Sequence, residues 1–216
     1  MKKTARRFQA ILFDIDGTLL DTTELLFQAF EHTLDAHKLP VHNRDVIGAL
    51  IGKHIVKIYT NLAPGIDPQI LIDTHSGFQK NNLHLAIIFP NTQKVLETLK
   101  KAGIKLGVIS NRIRTSRPSL KRAGIFDYFD TIVTAGEVTH PKPHPEMIEK
   151  ALAHLHVKPE KALIVGDTES DILTGKNAGV TTIAVTYGFH GKKVTETNPD
   201  FVVDDIFDIL PIVLGK

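Results

Sequence analysis

After one short apolar run near its start, the chain devotes about seventy residues to helical periodicity before it settles into a regular alternation of strand and helix. Leu26, Phe30, Leu34 and His37 share one helical face, Ile47, Leu50 and Ile51 form a short piece, Ile55, Ile58, Tyr59 and Leu62 a further helix, and Ile70, Leu71, His75 and Phe78 with Leu85 a fourth. Pro40, Gly52, Gly65 and Pro68 punctuate them. From Phe89 onward a helix through Val95 and Leu99 stops at Gly103, and Ile104, Leu106, Val108 and Ile109 read as a strand. Further strands are expected over Thr131–Thr134, Ala162–Val165, Thr181–Val185 and Phe201–Val203, with helices around Leu120, Ile148, Ile172 and Ile209. Such alternation builds a mostly parallel sheet, and a helical connection this long must form a subdomain of its own.

The first apolar run, Ala10 to Phe13, delivers two carboxylates, Asp14 and Asp16, onto a turn at Gly17 and Thr18. Ligand crevices of parallel sheets lie at the carboxyl ends of strands, and three other strands end on polar groups at that same edge. Ile109 runs into Ser110 and Asn111, the strand ending at Thr134 leads to a loop carrying Lys142 between two prolines, and Val165 runs into Gly166, Asp167 and, four residues on, Asp171. Taken singly, Asp-Gly fits a plain turn, Ser110 a helix cap, Lys142 a surface lysine, and Asp167 and Asp171 turn and N-cap positions. Their convergence on one edge argues for a site.

Charge then limits the chemistry. Carboxylates at about 5 Å repel by roughly 3 kcal/mol per pair at an effective dielectric near 20. Asp14, Asp16, Asp167 and Asp171 therefore call for a cation beyond one lysine, most simply Mg²⁺ with its preference for oxygen ligands. A metal among carboxylates admits an anion, and Ser110, backbone N–H groups around Asn111 at an expected helix start, and Lys142 supply donors for phosphate oxygens. Phosphoryl transfer is the expected reaction.

The strings DIDGT, GVISN, HPKPHPE and GDTESD, in this order, resemble the four motifs of the haloacid dehalogenase superfamily over essentially the whole chain. The helical insertion is similar to the small cap of the subgroup holding phosphoglycolate phosphatases, PpaX-type pyrophosphatases and β-phosphoglucomutases. The resemblance implies an α/β fold: a Rossmann-like parallel core formed by residues 1–20 and 90–216, with a small all-helical cap domain, residues 21–89, inserted after the first strand. It implies Asp14 as nucleophile, Asp16 as acid and then base, and Ser110 and Lys142 as holders of the phosphoryl group. Asp14, the Asp16 carbonyl and Asp167 would bind Mg²⁺, with Asp171 supporting the metal shell and Lys142. Gly17, Thr18 and Asn111 join the phosphate contacts. The loop Leu50 to His54, with Gly52 as hinge, resembles the loop that closes over substrate, where Lys53 is either a substrate contact or a solvated lysine.

The second Asp argues for phosphate esters over carbon–halogen bonds, since the dehalogenases of the superfamily lack it. Leu26 stands where the mutases carry a histidine, which favours water as acceptor. The function expected is a Mg²⁺-dependent phosphatase of a small phosphorylated metabolite, phosphoglycolate phosphatase-like, with pyrophosphatase the nearest alternative and a mutase, a receiver-like module or a silent phosphate-binding protein further off. His140, His144, His154 and His156 are expected to be structural or solvent-facing, with no metal constellation.

A net charge of +2 leaves no basic excess for nucleic acid, the cluster Lys2, Lys3, Arg6 and Arg7 reads as a solvated terminus, and no apolar stretch approaches a membrane span. The chain reads as cytoplasmic. With no cysteine, thiolate metal sites and a Cys nucleophile are excluded.

Overall fold

Six strands form one wholly parallel sheet in the computed structural model, which describes residues 7–215. Lys2, Lys3 and Arg6 of the basic cluster lie outside the described residues. The strands, numbered along the chain with the two short ones below, are β1 (Ala10–Phe13), β4 (Lys105–Ser110), β5 (Thr131–Thr134), β6 (Ala162–Gly166), β7 (Thr181–Val185) and β8 (Phe201–Val203). Their order is β5-β4-β1-β6-β7-β8, so the chain builds outward on one side of β1 and then returns to build outward on the other. The crevice at such a reversal is where open α/β sheets bind ligands.

Alternation along each strand divides the core in two. Ile11 and Phe13 pack with Val108 and Val165 under α5 (Thr92–Lys101) and α9 (Ile209–Leu214), while Ala10 and Leu12 pack with Val133 and Ile164 under α7 (Glu146–Leu155). Both faces of β1 are sealed, as a continuous apolar run in a central strand requires. Two more helices flank the sheet, α6 (Ser116–Arg122) and α8 (Glu169–Asn177).

Between β1 and the rest of the sheet the chain leaves through β2 (Leu20–Asp21) and returns through β3 (Ile87–Ile88), an antiparallel pair of two residues each that the sequence pattern does not foretell. The intervening chain is helical: α1 (Thr23–Ala36), α2 (Arg44–Gly48), α3 (Ile55–Leu62) and α4 (Pro68–Asn81). Pro68 at the first turn and the Asp67 carboxylate, which accepts from the Gln69 N–H, start α4 where the sequence places it. Leu85 falls beyond that helix in a short 3-10 turn. Phe30, Ile47, Ile58, Tyr59, Leu71 and Ile72 form an apolar cluster within these helices, separate from the two beside the sheet.

One helix start departs from the sequence reading. The chain does not turn helical at Asn111; α6 begins at Ser116. Pro118 supplies the reason, because a residue without an N–H is tolerated only in a helix's first turn and so fixes the start close by. Residues 111–115 are left as a loop whose side chains take up long-range partners.

Candidate active site

The β1–β4 and β1–β6 registers pair Phe13 with Val108 and with Val165. Asp14, Ser110 and Asp167 therefore leave their strands side by side at one edge. The Lys142 loop comes over that edge and sets its ammonium 2.9 Å from Asp14 Oδ1 and 2.6 Å from Asp171 Oδ1. Asp171 is held as the third residue of α8: its Oδ2 accepts from the Thr168 N–H at 3.0 Å and from the Thr168 hydroxyl at 2.6 Å, a capping box. One Asp171 carboxylate thus both caps α8 and meets the Lys142 ammonium. Asp167 accepts from the Thr18 hydroxyl at 3.1 Å and the Phe189 N–H at 2.8 Å. Gly17 turns beneath it at φ +77°, and a Cβ there would fall 2.2 Å from Asp167 Oδ2, so only glycine lets the turn approach so closely.

These groups are buried, and their protonation shows it. Burial pushes the Asp14 carboxyl up to about 7, with Lys142 pulling it back and the Asp171 and Asp16 charges adding to the rise. Burial, and then the charges of Asp171 and Asp14, hold Asp167 well above the ordinary carboxylate range. For Lys142 burial works the other way, but Asp14 and Asp171 more than offset it and keep the ammonium charged.

Ligand oxygens of Asp14, Asp167 and Asp171 all lie within 4.8 Å of one another. Adding Asp16, four carboxylates here face two cations, Lys142 and Arg112. The excess of two negative charges and the all-oxygen donor set fit one small, hard divalent cation.

Asp16 faces the cavity side of this cluster. Its Oδ1 accepts from the Thr22 hydroxyl at 2.6 Å and lies 2.5 Å from an Arg112 terminal nitrogen. Arg112 escapes a reading of the sequence because its side-chain partners, Asp16 and Ser119, are seven residues or more away; its only local signal is its place two residues after Ser110. Ser110 is fully buried and, rather than capping a helix, its hydroxyl accepts from the Arg112 N–H at 3.2 Å. The Asn111 side chain, instead of lying at a helix start, clamps the Lys142 backbone and reaches the Gly52 carbonyl at 3.2 Å. Gly52 and Lys53 line the cavity between the insertion and the sheet edge, with Lys53 exposed. Leu26, Phe30, Ile58 and Ile72 form its apolar wall.

The histidines bring one correction. His154 and His156 are exposed and apart, but ligand atoms of His140, His144 and Glu146 lie within 4.8 Å of one another, because the loop folds back over the start of α7. Both Glu146 oxygens already accept backbone N–H groups, from Thr139 and His140 at 2.8 Å.

Carboxylates that admit an anion only alongside a cation, gathered at the switch point of a parallel sheet, define a hydrolase of phosphate groups. Residues 11–185 match the model of the haloacid dehalogenase-like hydrolases, and the chain belongs to that family. It is 34% identical over 209 residues to pyrophosphatase PpaX of Bacillus anthracis, covering 96% of this chain and 97% of that one. Among solved structures, a "predicted phosphoglycolate phosphatase" from Haemophilus somnus 129PT superposes with a TM-score of 0.86 at 25% identity, over 97% of this chain and 99% of that one. A haloacid dehalogenase-like family hydrolase from Streptococcus pneumoniae gives a TM-score of 0.84 at 25% identity, over 95% and 98%. No described helix is long and apolar enough to cross a membrane.

Proposed function

We propose that the protein is a Mg²⁺-dependent phosphatase of a small phosphorylated metabolite that works through an aspartyl-phosphate on Asp14. The observation that carries this reading is the buried contact of Asp14 with Lys142, which is itself braced by Asp171, beside Asp167. Asp14, the Asp16 backbone carbonyl and Asp167 are the groups that would hold the ion. Bound there, Mg²⁺ would neutralise the carboxylates and draw charge from the phosphoryl oxygens.

The chain's own residues then divide the work. An Asp14 oxygen attacks phosphorus, the bond to the leaving oxygen breaks, and Asp16 delivers a proton to that oxygen. Water next attacks the aspartyl-phosphate, Asp16 takes its proton, and Asp14 is released. Lys142 and Ser110 hold the phosphoryl group throughout, with Gly17, Thr18 and the backbone around Asn111 forming the turn it faces. Residues 21–89 act as a cap that excludes water and meets the leaving group, with the Gly52–Lys53 loop at the cavity mouth.

Phosphoglycolate and pyrophosphate are the two substrates this reading favours, the second supported by 34% identity to a pyrophosphatase over 96% of the chain. Phosphate release from phosphoglycolate, pyrophosphate and p-nitrophenyl phosphate, each with Mg²⁺ and with EDTA, tests it. Mg²⁺-dependent turnover of at least one is expected. Turnover of none with Mg²⁺ present would overturn it.

A further inference from the structure

Arg112 stands out among the cations of the cavity. Its side chain is only 7% exposed, yet just one of its N–H groups has a hydrogen-bond acceptor, the Ser119 hydroxyl, 3.0 Å from a terminal nitrogen. Its Nε and its other terminal nitrogen make no hydrogen bond; the latter touches Asp16 Oδ1 at 2.5 Å. A guanidinium offers five donors, and leaving several buried without acceptors costs about 1–3 kcal/mol each unless something else fills the place. Arg112 lines the cavity, the space from which a ligand would supply an acceptor.

The neighbours say what that can be. Lys142 is committed to Asp14 and Asp171, and Arg114 turns outward to Asp73 at 2.7 Å. Lys53 is exposed at the mouth. His75, buried in the cavity lining, is kept neutral by burial and then by the Arg112 charge, which push it down to about 3. Asp14 and Asp16 are the carboxylates of the lining; apart from its cations, the rest of it is apolar, as at Phe30 and Ile72, or neutral and polar, as at Gln79 and Thr115. Arg112 is therefore the buried cation, among the described residues, that is not already balanced by carboxylates on two sides. It also touches Asp16, the residue nearest the leaving group in the phosphatase reading.

Resting on that reading, we propose that Arg112 forms a second anion subsite that binds a carboxylate or phosphate carried by the leaving group. The substrate class is then a short phosphate ester or anhydride bearing a second anion, and a neutral leaving group forgoes this contact. A planar fork suits both anions, each of which accepts two parallel N–H bonds.

Two measurements on the full chain test this. The first is the ratio of kcat/KM for phosphoglycolate, and separately for pyrophosphate, to that for p-nitrophenyl phosphate in Arg112→Gln and Arg112→Lys. The Gln variant is expected to lower at least one ratio by about 10- to 100-fold, chiefly through KM, with partial recovery in the Lys variant. The arm that falls says which anion is recognised. Equal loss on all three substrates would overturn the proposal, since Arg112 would then act only through Asp16. The second is calorimetric binding of phosphonoacetate, which carries both anions and is not hydrolysed, against methylphosphonate, which lacks the second. Arg112→Gln is expected to weaken the first selectively, and equal weakening would contradict the subsite. A wild-type protein that discriminates the phosphonates but hydrolyses no ester would sink the phosphatase reading and leave the subsite standing.

Discussion

Asn111 holds Lys142 from both sides of its peptide: Asn111 Oδ1 accepts from the Lys142 N–H at 3.1 Å, and Nδ2 donates to the Lys142 carbonyl at 3.4 Å. The same Nδ2 reaches the Gly52 carbonyl at 3.2 Å, so one amide joins the lysine loop to the insertion. Lys142 lies in a loop, and its ammonium can stay between Asp14 and Asp171 only while that loop is held.

Asn111→Ala is expected to keep the fold and lower kcat. The three lost hydrogen bonds are worth about 1 kcal/mol each, which together lower a melting temperature by roughly 6–12 °C. If Lys142 holds the phosphoryl group as proposed, displacing it slightly is expected to lower turnover about 10-fold or more. Circular dichroism and steady-state kinetics check both, and unchanged kcat would mean the loop holds itself.

Asp14→Asn is expected to abolish turnover, because an amide is not an anionic nucleophile. Asp16→Asn differs: an ester with a good leaving group can still phosphorylate Asp14, while release slows for want of a base. Burst kinetics with p-nitrophenyl phosphate separate these steps, and loss of the burst in Asp16→Asn would assign Asp16 to geometry instead.

The pH dependence follows from burial of the carboxylates. Asp14 titrates near 7 in the folded chain against an ordinary 3.8, and Asp167 is also raised. A raised carboxyl contributes stability that is fully present below about 3.8 and is lost as pH climbs through about 7. His75 has the opposite slope, since its lowered value removes stability as pH falls from 6.5 toward about 3. A divalent ion needs the carboxylates ionised and competes with their protons, while His75 contributes equally with and without it. The rise in melting temperature on adding Mg²⁺ is therefore expected to grow from pH 5 to pH 8. Thermal scans with Mg²⁺ and with EDTA read this directly, and an increment that shrinks with pH would contradict it.

Lys53→Ala is expected to change the phosphoglycolate-to-p-nitrophenyl phosphate ratio by less than about threefold, because an exposed ammonium gains little from an ion pair in water. A loss near 100-fold would move leaving-group recognition from Arg112 to the insertion.

Strand and helix were legible wherever burial imposes a period. β1 reads as four apolar residues because both of its faces are covered, and α5 shows its apolar stripe because only one side is. Asp14, Asp167 and Lys142 were legible because polar residues end buried strands or interrupt a proline-flanked loop. β2 and β3 were not, since two residues carry no period. Arg112 and the grouping of His140, His144 and Glu146 depend on how loops return through space, and spacing along the chain does not record that.

The central claim is that Asp14 takes the phosphoryl group. Rapid acid quench of the Mg²⁺ enzyme mixed with labelled p-nitrophenyl phosphate, followed by peptide mapping, tests it most directly. An acid-stable, hydroxylamine-sensitive label on the peptide bearing Asp14, absent in Asp14→Asn, is the result expected; label on another residue, or Asp14→Asn turning over at the wild-type rate, would contradict it.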